Sequence, residues 1–501
     1  MYAVWEQFNC KEGISLDNKE LEGLQPNQVF RYFGELSKIP RGSGNEKEVS
    51  DYLVAFAREH GLEVSQDEVY NVVIKKPGTE GYESSPAVIL QGHMDMVCEK
   101  GPDSDHDFLK DPLALRVVDG DWLYATDTTL GGDNGIAVAM GMALVASDEI
   151  PHPPIELLVT TSEETGMDGA MALDASSISG KTLINIDSEE EGVLTVSCAG
   201  GCSAFVHIPL TWESAPEGAV ALAIDIKGLL GGHSGIEINK GRANANKLLG
   251  RLLYQAGDKL RLASVSGGNK HNAIPREAHA VVVVPSADAD ALRALARELE
   301  STARGEYQTA DPGIQITVTP VEKAPEQVMA PDCAAHVVRF LYLVPNGVQS
   351  MSMDIPGLVE SSLNLGVVRT EGDAVELITS IRSCVGSLKR NIYDVVAAIG
   401  ELCGASLSVE GQYPEWQYDP NSRLREICIE QYEALFGRKP GVAAIHAGLE
   451  CALFAEKFNG TLDMISIGPD MVDVHTAQEH LSISSTGRTW DYLLAVLKAL
   501  K

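Results

Sequence analysis

Short apolar runs that alternate with helix-period stretches over the first two hundred residues constrain this chain most. Such alternation is satisfied by a largely parallel sheet with helices packed against it. The runs are NVVIKK (71–76), AVILQG (87–92), IELLVTT (155–161) and TLINID (182–187). Between the second and third, Gly135 to Asp148 is apolar at helical spacing and follows a glycine-rich turn. From about 201 the pattern changes to the strands FVHIPL and AVALAIDIKG, the loop GLLGGHSG, the helix NANKLLGRLLYQAG and the strand AHAVVVVP. That style predicts an α+β unit. The α/β style resumes near 411 and closes on TLDMISIG (461–468) and the amphipathic helix TWDYLLAVLKAL. The chain has 501 residues, more than one compact core holds. The expected fold is α/β, a mostly parallel-sheet domain in two parts (1–200 and 411–501) with an inserted α+β lid domain over 201–410.

Charge and hydropathy narrow the partners. Lys and Arg total 39 against 71 Asp and Glu, a net charge of −32, which argues against a sustained grip on phosphate backbones or anionic lipid. No apolar run reaches the roughly 18–20 residues needed to cross a bilayer. Neither nucleic acid nor membrane is therefore an expected partner. The opening MYAVWEQFNCKEGISLDNKELEG lacks a basic region followed by an apolar core and a small-residue cleavage site, so a cytoplasmic location is expected. Nine cysteines scattered over a long chain read as reduced, mostly buried thiols. Cys198 and Cys202 could pair or hold a metal, but packing thiols are the expectation.

The acids and histidines fall where the strands end. AVILQG runs into His93-Met94-Asp95, IELLVTT into Ser162-Glu163-Glu164, TLINI into Asp187, and TLDMISIG into Pro469-Asp470 and then His475. In an open parallel sheet the carboxyl ends of the strands line one crevice, where such folds place ligands. Asp133, in the turn Gly131-Gly132-Asp133-Asn134-Gly135 before a helix, would join them. Each piece alone is ordinary: a strand-end pair, a solvated Glu-Glu, a turn aspartate. Several independent loops delivering such residues to one sheet edge point instead to a site for zinc, manganese or cobalt.

At this point the sequence resembles a known family. Gly92-His93-Met94-Asp95, Gly132-Asp133-Asn134-Gly135, Glu163-Glu164-Thr165-Gly166, Asp187, Gly231-Gly232-His233-Ser234-Gly235 and His475 are similar, in order, to the co-catalytic metallopeptidases of the M20 type. TTLGGDNGIA, TSEETGMDGA, DSEEEG, CAGG, HNAIPREA, PNGV, HAGLECALF and SIGP extend the resemblance over essentially the whole chain.

The resemblance implies two divalent metal ions, zinc first and manganese or cobalt as alternatives. His93 and Asp187 would end one ion's ligand set, Glu164 and His475 the other's, with Asp133 bridging. It implies a cis peptide at Asp133-Asn134, and Asp95 accepting the other N–H of His93. Glu163 would be the general base for a water nucleophile. His233 would donate to the tetrahedral oxyanion. Asn272, Arg369, His446 and Gly448 are candidates for gripping the substrate. The implied activity is hydrolysis of small dipeptides, Xaa-His and β-alanyl-histidine among them, by a homodimer whose split α/β domain is catalytic. Two readings stand beside it: a metal-dependent amidase or deacylase of N-acyl amino acids, and a non-catalytic binding protein. Ser234 does not sit in a G-x-S-x-G elbow, and GGDNG is not G-x-G-x-x-G.

Overall fold

A computed structural model describes residues 19–501; the segment read above for export signals lies largely outside them. The chain divides into two compact units. One holds the described residues up to Val196 together with Asp419–Ala443 and Leu453–Lys501, and the other holds Ser197–Tyr418 with Ala444–Ala452. The sequence boundary at 410/411 thus moves: 411–418 and 444–452 join the second unit. Cys198 N–H donates to Trp416 O and Ala199 N–H to Ile445 O, which explains the difference.

The first unit is built on an eight-stranded sheet. Its strands are β1 (Glu63–Gln66), β2 (Val72–Lys76), β3 (Val88–His93), β4 (Ile155–Thr160), β5 (Thr182–Asn185), β6 (Val193–Cys198), β7 (Gly441–Ile445) and β8 (Asp463–Ser466), in the spatial order β1-β2-β4-β3-β5-β8-β6-β7. The central strands β4, β3, β5 and β8 are mutually parallel. The flanks depart from the expectation: β2 runs antiparallel to both β1 and β4, and β6 is antiparallel to β8. A run of apolar residues signals burial on both faces but carries no direction, so the 71–76 run is compatible with either kind of ladder. All positions of β3 and β4 are buried. The helix Gly132–Ala146 is buried from Ile136 to Val145, as a helix apolar all round must be, and it connects β3 to β4 as the crossover a parallel pair requires.

The second unit has a nine-stranded sheet whose pairings are antiparallel throughout. Helices Ala245–Ala256, Ala289–Glu306, Pro331–Leu343 and Gly386–Leu402 supply buried Leu248, Leu252, Leu292, Leu299, Phe340 and Val396 to one core with the sheet's Val206, Ile224, Val282, Leu363 and Leu377. Cys198 and Cys202 are free and buried, and burial pushes the Cys198 thiol up to about 12, an inert packing thiol. Among the described residues no helix is long and apolar enough to cross a membrane.

Candidate metal centre

Because β4, β3, β5 and β8 lie side by side and parallel, their carboxyl ends share one edge. His93 is the last residue of β3; Glu163, Asp187 and His475 follow β4, β5 and β8. Two of these turns hold non-glycine residues in the left-handed region, Ser162 at φ 54° and His475 at φ 62°. Such backbone costs roughly 1–2 kcal/mol per residue and persists where surrounding contacts impose it. The Asp133-Asn134 peptide is cis.

The side chains converge around Asp133. Its Oδ1 lies 3.1 Å from His93 Nε2 and its Oδ2 lies 3.1 Å from His475 Nε2. Asp187 Oδ1 is 3.4 Å from His93 Nε2, and Glu164 Oε2 is 2.9 Å from His475 Nε2. One carboxylate therefore faces two imidazoles, each with a further carboxylate beside it. A cation with bonds of about 2.0–2.1 Å to nitrogen and oxygen has ligand-to-ligand edges of roughly 3.3 Å. The spacings fit those edges, and the ligand atoms of His93, Asp133 and Glu164 all lie within 4.8 Å of one another. Among the described residues Asp187 Oδ1 is buried and has no close hydrogen bond beyond the 3.4 Å approach of His93 Nε2, as an atom aimed at a cation would be.

Electrostatics show how strongly this ring of carboxylates demands positive charge. Hydrogen bonds to Asp133 and Glu164 push His475 up to about 11. Burial opposes a proton on His93, yet Asp187, Asp133 and Asp95 together hold its pKa well above the ordinary value. Burial likewise opposes ionisation of Asp133, but His475 and His93 outweigh it and keep that carboxyl ionised. Asp187 is pushed up to about 6, chiefly by burial, with His93 working against the shift.

Asp95 anchors the site from behind. Its Oδ1 lies 3.3 Å from His93 Nδ1 and accepts from Glu163 N–H at 3.1 Å, while Oδ2 accepts from Glu164 N–H at 3.3 Å and Ser43 Oγ at 2.8 Å. Burial disfavours its charge, but His93, Ser43 and the Glu163 amide hold its pKa below the ordinary value.

Asn134 and two residues not singled out in the sequence, Arg41 and Glu479, complete the support. Asn134 accepts from His93 N–H at 3.2 Å and donates to Ile186 O at 2.7 Å, and a Cβ on Gly92 would collide with its amide. Arg41, 2% exposed, donates to Met94 O at 2.9 Å, Asp95 O at 3.2 Å and Gly131 O at 2.5 Å. A Cβ on Gly131 or Gly135 would come within 2.5 Å of its Nη2, which accounts for glycine on either side of Asp133-Asn134. Glu479 accepts backbone N–H groups from Leu130, Gly131, Gly132 and Asp133; burial and nearby Asp133 push it up to about 7 against those donors.

The remaining candidates belong to the second unit. The GGHSG loop pairs with HNAIP, His233 opposite Ala273, and Ser234 N–H donates to Asn272 O at 2.9 Å. His233 Nδ1 accepts from the amides of Gly235 and Ile236, both at 3.2 Å, so its neutral tautomer carries the proton on Nε2. Burial and then Arg382 lower its pKa, favouring that neutral donor. His233, Asn272 and Arg369 line one cleft of about 1090 Å³, yet Arg369 is half exposed and paired with Glu376 at 2.5 Å and Glu371 at 3.1 Å. Arg382 is the arginine set among histidines: its charge lowers His233, His271 and His446, in each case after burial. Ser234 is buried, and its Oγ has no hydrogen-bond partner among the described residues. Gly448 is partly buried in the Ala444–Ala452 segment beside His446.

His446 yields a pH prediction. Its Nε2 lies 2.7 Å from Ser362 Oγ, and burial, then Arg382, push it down to about 4. The unfolded value is about 6.5, so the ring stays neutral when folded and takes a proton on unfolding between these limits. Its contribution is complete above pH 6.5 and is lost as pH falls through 4, amounting to roughly 3 kcal/mol. In urea unfolding across this window, His446→Gln should flatten the acid limb relative to the parent; identical slopes would contradict the assignment.

A parallel-sheet edge that gathers two imidazoles and several carboxylates is a donor set for divalent cations. Residues 89–499 match peptidase family M20/M25/M40, and the chain belongs to that family; it is a hydrolase acting on peptide bonds. It is similar to a cytosol non-specific dipeptidase of Escherichia coli (strain K12), 39% identical over 483 residues, covering 96% of this chain and 99% of that one. Its structure resembles an aminoacylhistidine dipeptidase from Vibrio alginolyticus with a TM-score of 0.92, 39% identity and coverage of 97% and 99% of the two chains. An aminopeptidase from Bacillus cereus shares the fold at 15% identity and a TM-score of 0.56, covering 95% of this chain and 99% of that one.

Proposed function

We propose that this chain is a dimetal dipeptidase, with Xaa-His dipeptides among its substrates. The observation that carries the reading is Asp133, whose two oxygens each face a histidine at 3.1 Å. His93 and Asp187 would complete one cation's set, and His475 and Glu164 the other's. Two divalent cations there, zinc first and manganese or cobalt as alternatives, would polarise the scissile carbonyl and bring a water's pKa towards neutrality. Glu163 would accept a proton from the attacking water and deliver it to the departing amine. Asp95 fixes the ring orientation of His93 and the backbone of both glutamates. His233, a neutral donor at Nε2, would meet the oxyanion, and Asn272, Arg369, His446 and Gly448 the rest of the substrate. We add Arg382 as the cation for the substrate's carboxylate, since it pairs across the sheet with Ser362, whose Oγ lies 2.7 Å from His446 Nε2. The free cysteines and the cytosolic bacterial relative support a cytoplasmic site of action.

The test is an assay of protein loaded with each metal. β-Alanyl-histidine and Gly-His should be cleaved faster than N-acetyl-histidine, and the C-terminal amide of Gly-His should show a raised KM. Faster cleavage of the N-acetyl compound would make the protein a deacylase, and an unchanged KM for the amide would remove Arg382 from the carboxylate.

A further inference from the structure

We propose that Glu479 is a positioning residue: its carboxylate fixes the turn that aims Asp133 at both histidines, and thereby sets the affinity of the site for divalent cations. This rests on the metal reading above. Glu479 is 3% exposed and lies in the chain segment that follows His475. Its Oε2 accepts from Leu130 N–H at 3.0 Å and Gly131 N–H at 3.2 Å; its Oε1 accepts from Gly132 N–H at 2.8 Å and Asp133 N–H at 3.3 Å. Four consecutive amides are held by one side chain, the last being the amide of the bridging candidate itself. No other described side chain accepts from these amides. Arg41 holds the same turn through Gly131 O and ties it to the end of β3 through Met94 O and Asp95 O.

The turn is thus clamped by an anion on its N–H groups and a cation on its carbonyl. Asp133 (φ −79°, ψ 104°) and Asn134 (φ −118°, ψ 27°) both have non-helical backbone at the start of this helical stretch, so helix hydrogen bonding does not by itself set the direction of Asp133. The clamp on its N-terminal side sets it, together with the Asn134 amide on the other, which is tied to His93 N–H and Ile186 O. Glu479 also joins the loop of His475 to the turn of Asp133, so the two parts of one cation subsite are oriented through a single carboxylate. Outer contacts of this kind typically change metal affinity about 10–100-fold when removed.

A capping carboxylate at a helix start would give the same bonds and a different phenotype. Glu479→Gln keeps the volume but turns an amide NH2 towards two backbone N–H donors. Glu479→Asp keeps the charge and shortens the reach. The measurement is zinc affinity and stoichiometry by competition with a chromophoric chelator, alongside the Tm of metal-free protein and its far-UV circular dichroism. For positioning, both folded variants bind zinc about 10–100-fold more weakly than the parent. A lowered metal-free Tm with unchanged zinc affinity would reduce Glu479 to a cap and overturn the proposal; an unaffected Glu479→Asp would assign the effect to charge and overturn it equally. If Glu479→Gln does not fold, Glu479→Asp decides. A parent protein that binds no zinc would overturn the metal reading together with this one, whereas a parent that binds two ions beside an unchanged variant overturns this one alone.

Discussion

Glu163→Gln is expected to lower kcat by about 10²–10⁴, roughly 3–5 kcal/mol of barrier, while metal content and KM hold. Ser162 turns the chain in a left-handed conformation, and Asp95 then takes the amide of Glu163 on one oxygen and the amide of Glu164 on the other. With both backbones fixed, the Glu164 carboxylate goes to His475 at 2.9 Å. Glu163, its neighbour, is the residue proposed above for proton transfer. Glutamine matches its size and accepts hydrogen bonds, but it cannot take a proton at neutral pH. Steady-state kinetics with atomic absorption on the same preparation separates the outcomes. Unchanged turnover at full metal content would remove the base role, and loss of metal in step with activity would make Glu163 a ligand.

The parts of this site that the sequence made legible are those that follow from one rule. Parallel strands place their carboxyl ends together, so residues ending AVILQG, IELLVTT, TLINI and TLDMISIG had to share an edge once the runs were read as adjacent strands. What stayed hidden depended on partners remote in sequence. Arg41 sits in IPRGSG and reads as a loop cation; its burial is dictated by carbonyls of Met94, Asp95 and Gly131, which no local pattern announces. Glu479 is one acid among 71. The spacing His475-x-x-x-Glu479 was the available signal, and it is weak without the fold. Arg369 and Arg382 both lie in strands with apolar neighbours, and only cross-strand register separates them: Arg369 faces Glu376, whereas Arg382 lies opposite Ser362 and Gly201. Strand direction was similarly beyond reach at 71–76, because an apolar run is the same text read along a parallel or an antiparallel ladder.

Asp133→Asn carries the second large effect and the opposite metal phenotype. A bridge needs an anionic oxygen on each side. Asparagine supplies one carbonyl oxygen, and its NH2 group, a donor only, would then face either His93 or His475. One subsite keeps a weakened ligand set and the other loses its shared ligand, so stoichiometry should fall from two cations to one or fewer. A lone cation cannot stabilise both the attacking and the departing atom, and kcat/KM should drop by about 10³ or more, some 4 kcal/mol. The surroundings sharpen the expectation. Asp133 is held ionised against its own burial by His93 and His475, so the substitution also removes the charge to which both rings are oriented. The readout is metal per chain by inductively coupled plasma spectrometry after dialysis, then rate at saturating zinc. Two ions retained with near-parental rate would show that Asp133 does not bridge. Read beside Glu163→Gln, the pair assigns the two functions independently: one substitution empties the barrier-lowering proton transfer and leaves the cations, whereas the other removes a cation and leaves the base in place.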